Sequence, residues 1–149
     1  MKTCSAISLS GGQGKTTTVF FTALLLAKQG KKVLVVDADP QANLTFYLNN
    51  EVQSDDPSLF EVLTREVTIE DGIYETQYEN LFIVPADTGL FKVSDRLSSS
   101  GAGAFALRRC LKDVADIFDF TLIDVQPSRS QISLTAAGAS NHVLIPVEA

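Results

Sequence analysis

Among its 149 residues the sequence has no tryptophan, one histidine, one methionine and only two cysteines. Cys4 and Cys110 stand far apart without a histidine-rich neighbourhood, which argues against a disulfide framework or a zinc site and for reduced, buried thiols. Long apolar runs are missing too. The longest, Val19 to Ala27, spans nine residues and is interrupted by Thr22, whereas a membrane-spanning helix requires roughly 20. The amino terminus carries Lys2 but no apolar stretch of signal-peptide length, and nothing before Cys4 would make it a lipidation site. No transmembrane segment is expected, and the expected location is the cytosol. His142 has no carboxylate, serine or cysteine beside it at a motif spacing, so it reads as a surface histidine rather than a catalytic base.

An excess of basic charge is also absent. The net charge is -6 and unevenly spread: residues 1–48 carry five lysines against Asp37 and Asp39, residues 49–90 carry ten acids against Arg65 alone, and residues 91–149 balance six against six. An acidic middle third repels nucleic-acid phosphates, so any contact with DNA has to come from a local patch or a partner subunit. What is present, 45% hydrophobic and 20% charged residues, suits one globular domain of this length.

Apolar periodicity alternates between strand and helix along the chain. Lys2 to Ser8 reads as a strand ending in glycines, and Lys15 to Gln29 as a helix closed by Gly30. Lys32 to Asp37 has the β-branched run of a strand buried on both faces, followed by Pro40 and a short amphipathic segment through Leu48. Phe46 and Tyr47 in that segment are expected to serve packing. Ser58 to Thr64 reads as a helix, Leu81 to Val84 as a third strand, and the stretch between them as loop-rich. Ser98 to Gly103 looks the most flexible; Ala104 to Ala115 is helical, Phe118 to Val125 a strand, Ile132 to Ala139 a helix and His142 to Val147 a last strand. Such alternation predicts an α/β fold, a parallel sheet with helices on both faces.

The first strand-to-helix turn reads Ser10-Gly11-Gly12-Gln13-Gly14-Lys15-Thr16-Thr17. Glycines let consecutive backbone N–H groups converge on phosphate oxygens at a helix amino terminus, whose dipole also favours anions. Lys15 adds a mobile cation, and a hydroxyl directly after it, here Thr16, is placed to reach Mg²⁺. A dinucleotide fingerprint fails because Thr17 stands where its third glycine is required, and the ordinary P-loop pattern fails at Leu9. Gly11, Gly12, Gln13, Gly14, Lys15, Thr16 and Thr17 are therefore the candidate phosphate-binding residues. The second strand ends in Asp37-Ala38-Asp39-Pro40-Gln41 and the strand Phe118 to Val125 carries Asp124. Both lie at carboxyl ends, where parallel sheets bind ligands. Thr16, Asp39 and Asp124 are the candidate Mg²⁺ residues, acting directly or through water.

These motifs together resemble the ParA/MinD family of deviant P-loop ATPases, and the resemblance covers essentially the entire chain. In that family the loop reads K-G-G-x-G-K-T-T, which Gly11, Gly12, Gly14, Lys15, Thr16 and Thr17 match. Asp37-x-Asp39-Pro40-Gln41-x-Asn43 resembles the family's first switch, which implies that Asp39 orients the attacking water and, with Lys15, is catalytic. Asp124-Val125-Gln126-Pro127-Ser128 resembles the second switch, with Gln126 in place of a proline.

The resemblance implies ATP and Mg²⁺ as ligands, an ATP-dependent homodimer, sequence-independent DNA binding on the nucleoid, and an adaptor protein that stimulates hydrolysis. A membrane-cycling relative of the MinD type is the alternative, separated by a terminal amphipathic helix with basic flanks. An electron-transfer ATPase resembling nitrogenase reductase would need paired cysteines near Asp124, and none occurs from Asp124 to Arg129. No guanine-reading N-K-x-D or T-K-x-D segment is present, so ATP is expected over GTP.

Ser10 occupies the place of the family's signature lysine, which reaches the partner's phosphates across the dimer. Serine there resembles the branch that positions carboxysomes, and the missing cation is expected from Arg129 or from residues beyond Ala149. Family members usually continue past the strand ending near Val147, so the chain is expected to be incomplete at its carboxyl end.

Overall fold

The computed structural model describes residues 1–9, 11–48, 53, 55–99, 103–127 and 130–147. Strand β2 (Val33–Ala38) is buried at every position, as a strand covered on both faces must be. Its side chains alternate between two cores: Leu34, Val36 and Ala38 enter one, Val33 and Val35 the other. β4 (Leu81–Val84) and β5 (Phe120–Val125) flank β2, β1 (Lys2–Ala6) lies beyond β5, and β6 (His142–Leu144) pairs with β1 at the edge. Those four pairings are parallel, and the two-residue β3 (Tyr74–Glu75) adds antiparallel to β4, giving the order β3-β4-β2-β5-β1-β6.

Helices cover both faces. On one side α1 (Lys15–Lys28) buries Val19, Ala23 and Ala27, one side chain per turn, against Val33 and Val35 together with Leu44 of α2 (Asn43–Tyr47). α1 stops in a Schellman arrangement: the Lys31 N–H donates to the Leu26 carbonyl at 3.1 Å and the Gly30 N–H to that of Ala27 at 2.9 Å. The other face carries α3 (Leu59–Thr64), α4 (Val93–Ser99), α5 (Ala106–Asp113) and α6 (Gln131–Ala139). Ser58 and Glu61 close a capping box at the start of α3, the Glu61 carboxylate accepting from the Ser58 N–H at 2.8 Å. α6 passes so close to Ala104 that a Cβ at Gly138 would stand 2.1 Å from the Ala104 carbonyl oxygen.

Several expectations are corrected by this packing. Phe46 is 80% exposed and does not anchor α2; Tyr47, 51% exposed, packs edge-on against Phe20 of α1 with ring centroids 6.2 Å apart, and the buried anchors are Leu44 and Leu48. Cys4 and Cys110 are free but half-buried rather than core residues. α4 extends to Ser99 and Gly103 opens a 3-10 turn, so the stretch read as flexible is partly helical; residues 100–102 lie outside the described residues. His142 is exposed at the start of β6, as expected of a surface residue. Among the described residues no helix is long and apolar enough to cross a membrane.

Candidate active site

β1 ends at Ala6 and α1 begins at Lys15, so the glycine segment joins the carboxyl end of a strand to the amino end of a helix. Gly12 and Gly14 hold φ of 75° and 73°, left-handed backbone that costs an ordinary L-residue roughly 1–2 kcal/mol. A Cβ at either would meet nothing within 4 Å, so backbone shape and not crowding selects glycine there. α1 starts without a side-chain cap and without an acidic residue in its first turn. The positive end of its dipole therefore faces the loop without a cap or an acid from the helix's own first turn.

A cleft of about 390 Å³ opens at this point, with Gly11 to Thr17 on one side and Asp39, Asn43, Val125 and Pro127 on the other. Lys15 is 6% exposed and donates from Nζ to Ser8 Oγ at 2.8 Å, so its charge is held at the cleft rather than spread into solvent. Thr16 Oγ1 donates to Asp124 Oδ2 at 2.6 Å. The second oxygen of Asp124, Oδ1, is buried and accepts no hydrogen bond among the described residues. Burial pushes the Asp124 carboxyl up to about 6; the Thr16 hydroxyl opposes that rise and the Asp39 charge adds to it.

Asp37 is fully buried and pushed up to about 7, first by burial and also by the Asp124 charge. Its Oδ2 accepts from both the N–H and the hydroxyl of Thr45, each at 2.8 Å, and its Oδ1 from the Asp39 N–H at 3.1 Å. Thr45 Oγ1 in turn accepts from the Ala86 N–H at 3.1 Å, fastening α2 to the chain leaving β4. Asp39 accepts the Gln41 N–H at 2.9 Å, so part of its role is to hold the turn it stands in.

A divalent cation suits this donor set. The available atoms are carboxylate and hydroxyl oxygens, the preference of Mg²⁺. One of them is a buried carboxylate oxygen with no described partner. Among the described residues no group of three histidine, cysteine or acidic side chains forms a metal cage by itself. An ion here would need oxygens from a bound phosphate to complete its shell, which is how Mg²⁺ ordinarily sits with nucleotides.

The cleft thus gathers Gly11, Gly12, Gln13, Gly14, Lys15, Thr16, Thr17 and Asp39, and Asp124 joins it through Thr16. Ser10, Ser128 and Arg129 lie outside the described residues. Asn43 and Thr45 were not among the expected site residues. Asn43 is visible in the motif after Gln41, but Thr45 takes its place only when α2 folds back onto Asp37 and the chain leaving β4 reaches it through Ala86.

Comparison with known proteins adds an independent observation. Residues 1–149 match the AAA domain family AAA_31. The chain is 48% identical over 149 residues to the maintenance of carboxysome distribution protein A of Synechococcus elongatus, covering 100% of this chain and 59% of that protein. It is 36% identical over 138 residues to the sporulation initiation inhibitor protein Soj of Bacillus subtilis, covering 93% of this chain and 54% of that one. Among solved structures, an ATP complex of an aspartate-to-alanine variant of Cyanothece McdA superposes with a TM-score of 0.95 at 46% identity, over 99% of this chain and 56% of that one. Cobyrinic acid a,c-diamide synthase from Mycobacterium smegmatis with bound ADP and magnesium gives 0.94 at 31% identity, over 99% and 60%. The chain therefore spans little more than half the length of these relatives.

Proposed function

Because the chain belongs to the AAA_31 family of ParA/Soj-type ATPases, we propose that it binds ATP with Mg²⁺ and works as a positioning switch. The observation that carries this reading is one cleft shared by the glycine segment, buried Lys15, Asp39 and the Thr16–Asp124 pair. In the proposed arrangement, backbone N–H groups from Gly11 to Thr17 and the α1 dipole hold the phosphates, and Gln13 helps to cover them. Lys15 exchanges its Ser8 partner for a phosphate oxygen. Thr16 and Asp124 would hold Mg²⁺, with Asp39 acting through water; when bound, the ion neutralises charge on the phosphates. Asp39, fixed by Gln41 and backed by Asp37, orients the attacking water.

Hydrolysis is proposed to be slow and stimulated by an adaptor protein. ATP is proposed to support a homodimer that binds nucleoid DNA without sequence preference and releases it after hydrolysis. Identity to a carboxysome distribution protein favours a carboxysome cargo over a plasmid or chromosome. The proposed location is the cytosol, on the nucleoid. Analytical ultracentrifugation and DNA co-sedimentation of the full-length gene product test this reading. A dimer that pellets with DNA only when Mg-ATP is present supports it, and a monomer at saturating Mg-ATP contradicts it.

A further inference from the structure

A second cleft, of about 400 Å³, opens among α3, α4 and α5 and shares no lining residue with the nucleotide cleft. Its floor is apolar, formed by Leu63, Leu97 and Ala106, and its rim carries Arg65 just past the end of α3, Arg96 of α4 and Arg109 of α5. That concentration runs against the local charge balance. Arg65 is the one basic residue between positions 49 and 90, amid ten acids. It also holds φ of 62°, left-handed backbone where glycine would be unstrained, so the position carries its side chain against conformational preference.

Two of the arginines act on a common group. Cys110, half-buried beside the cleft, is pushed up most by burial, while Arg65 and Arg109 both draw it down and Asp113 opposes them. Arg96 stacks 5.9 Å from the Phe60 ring centroid and meets Glu66 at 3.6 Å in an exposed ion pair. Such surface pairs bind weakly and yield readily to a competing anion.

We infer that this cleft binds a compact phosphate-bearing small molecule through Arg65, Arg96 and Arg109. Guanidinium forks match phosphate oxygens bidentately, and three of them from separate parts of the chain suit a tetrahedral anion. The volume lies at the small end of the roughly 300–1,000 Å³ typical of ligand pockets. Around the cleft, Glu61, Glu66, Asp95 and Asp113 stand among Arg108 and Lys112 as well as the three rim arginines, so charge of both signs surrounds it. One or two phosphate groups fill a volume of this size, whereas a long polyanion such as DNA or an acidic peptide would extend out of the cleft onto a surface of mixed charge.

Isothermal titration with inorganic pyrophosphate tests the assignment, using the full-length Lys15→Ala protein so that the glycine loop does not contribute. One saturable site is expected, weakened by roughly tenfold or more in Lys15→Ala/Arg65→Gly, as loss of a hydrogen-bonded charge implies. Arg65→Gly suits the left-handed backbone, so an unchanged or raised melting temperature without ligand separates lost binding from lost folding. In a Cys4→Ser background, pyrophosphate should also slow alkylation of Cys110. The proposal is overturned if pyrophosphate does not bind the Lys15→Ala protein, if Arg65→Gly binds it equally well, or if DNA or polyglutamate binds there in preference. Because the glycine loop is disabled throughout, none of these outcomes bears on the ATP reading.

Discussion

Asp37 and Asp124 are register partners across the parallel β2–β5 pair, side by side at the carboxyl ends of two central strands. Burial raises both, to about 7 and about 6, above the ordinary carboxylate value of 3.8. A folded-state pKa above the unfolded one means that the native chain retains protons the unfolded chain has released. The resulting penalty on stability is absent below the unfolded value, grows as pH rises through the window up to the folded value, and is complete above it. Without a cation, the two central strands thus end in a costly concentration of negative charge.

Asp124→Asn removes one of these charges and keeps an oxygen for Thr16. The nucleotide-free variant is expected to melt above the parent near pH 7.5 and close to it near pH 4, while losing stabilisation by Mg-ATP. Thermal denaturation across that range measures the difference. A gap between the two proteins that does not change with pH would contradict the assigned cause.

Thr45→Val keeps the side-chain shape and removes the hydroxyl that bonds Asp37 and accepts from Ala86. It should lower unfolding free energy by about 1–3 kcal/mol, the cost of leaving buried polar groups without a partner. Thr45→Ser should restore most of it. Urea titrations of the two variants decide, and equal stability of Val and parent would remove the link between β2 and β4.

Asp39→Ala is expected to leave ATP binding in place while turnover falls by about 10²-fold or more, the usual contribution of a group that positions or activates a nucleophile. The ATP state would then persist on DNA. Phosphate release at the parental rate would reduce Asp39 to its turn contact with Gln41.

Much of this architecture is legible in the residues themselves. The Val33-Leu34-Val35-Val36 run and the spacing of Val19, Ala23 and Ala27 are direct imprints of a doubly covered strand and of the helix against it. Gly12 and Gly14 mark the loop because few other residues take its backbone. The two-residue β3 leaves no periodicity to read, and it exists by pairing with β4. The Ser58/Glu61 capping box was available as a pattern of Ser followed by Glu three residues later. The roles of Thr45 and of the Asp37–Asp124 pair were not: the first depends on how α2 folds back onto the end of β2, and the second on the β2–β5 register that sets the two acids side by side. Exposure of Phe46 was hidden for a related reason: in a five-residue helix, which side faces the core is set by its neighbours.

Everything proposed for this cleft depends on the Gly11–Thr17 loop and Lys15 holding the phosphates of ATP. Calorimetric titration of Mg-ATP into the parent and into Lys15→Ala, with circular dichroism to establish that both are folded, tests it most directly. Saturable binding to the parent is expected, with a loss of roughly 100-fold, about 2.8 kcal/mol, in the variant. Equal affinity in the two folded proteins would contradict it.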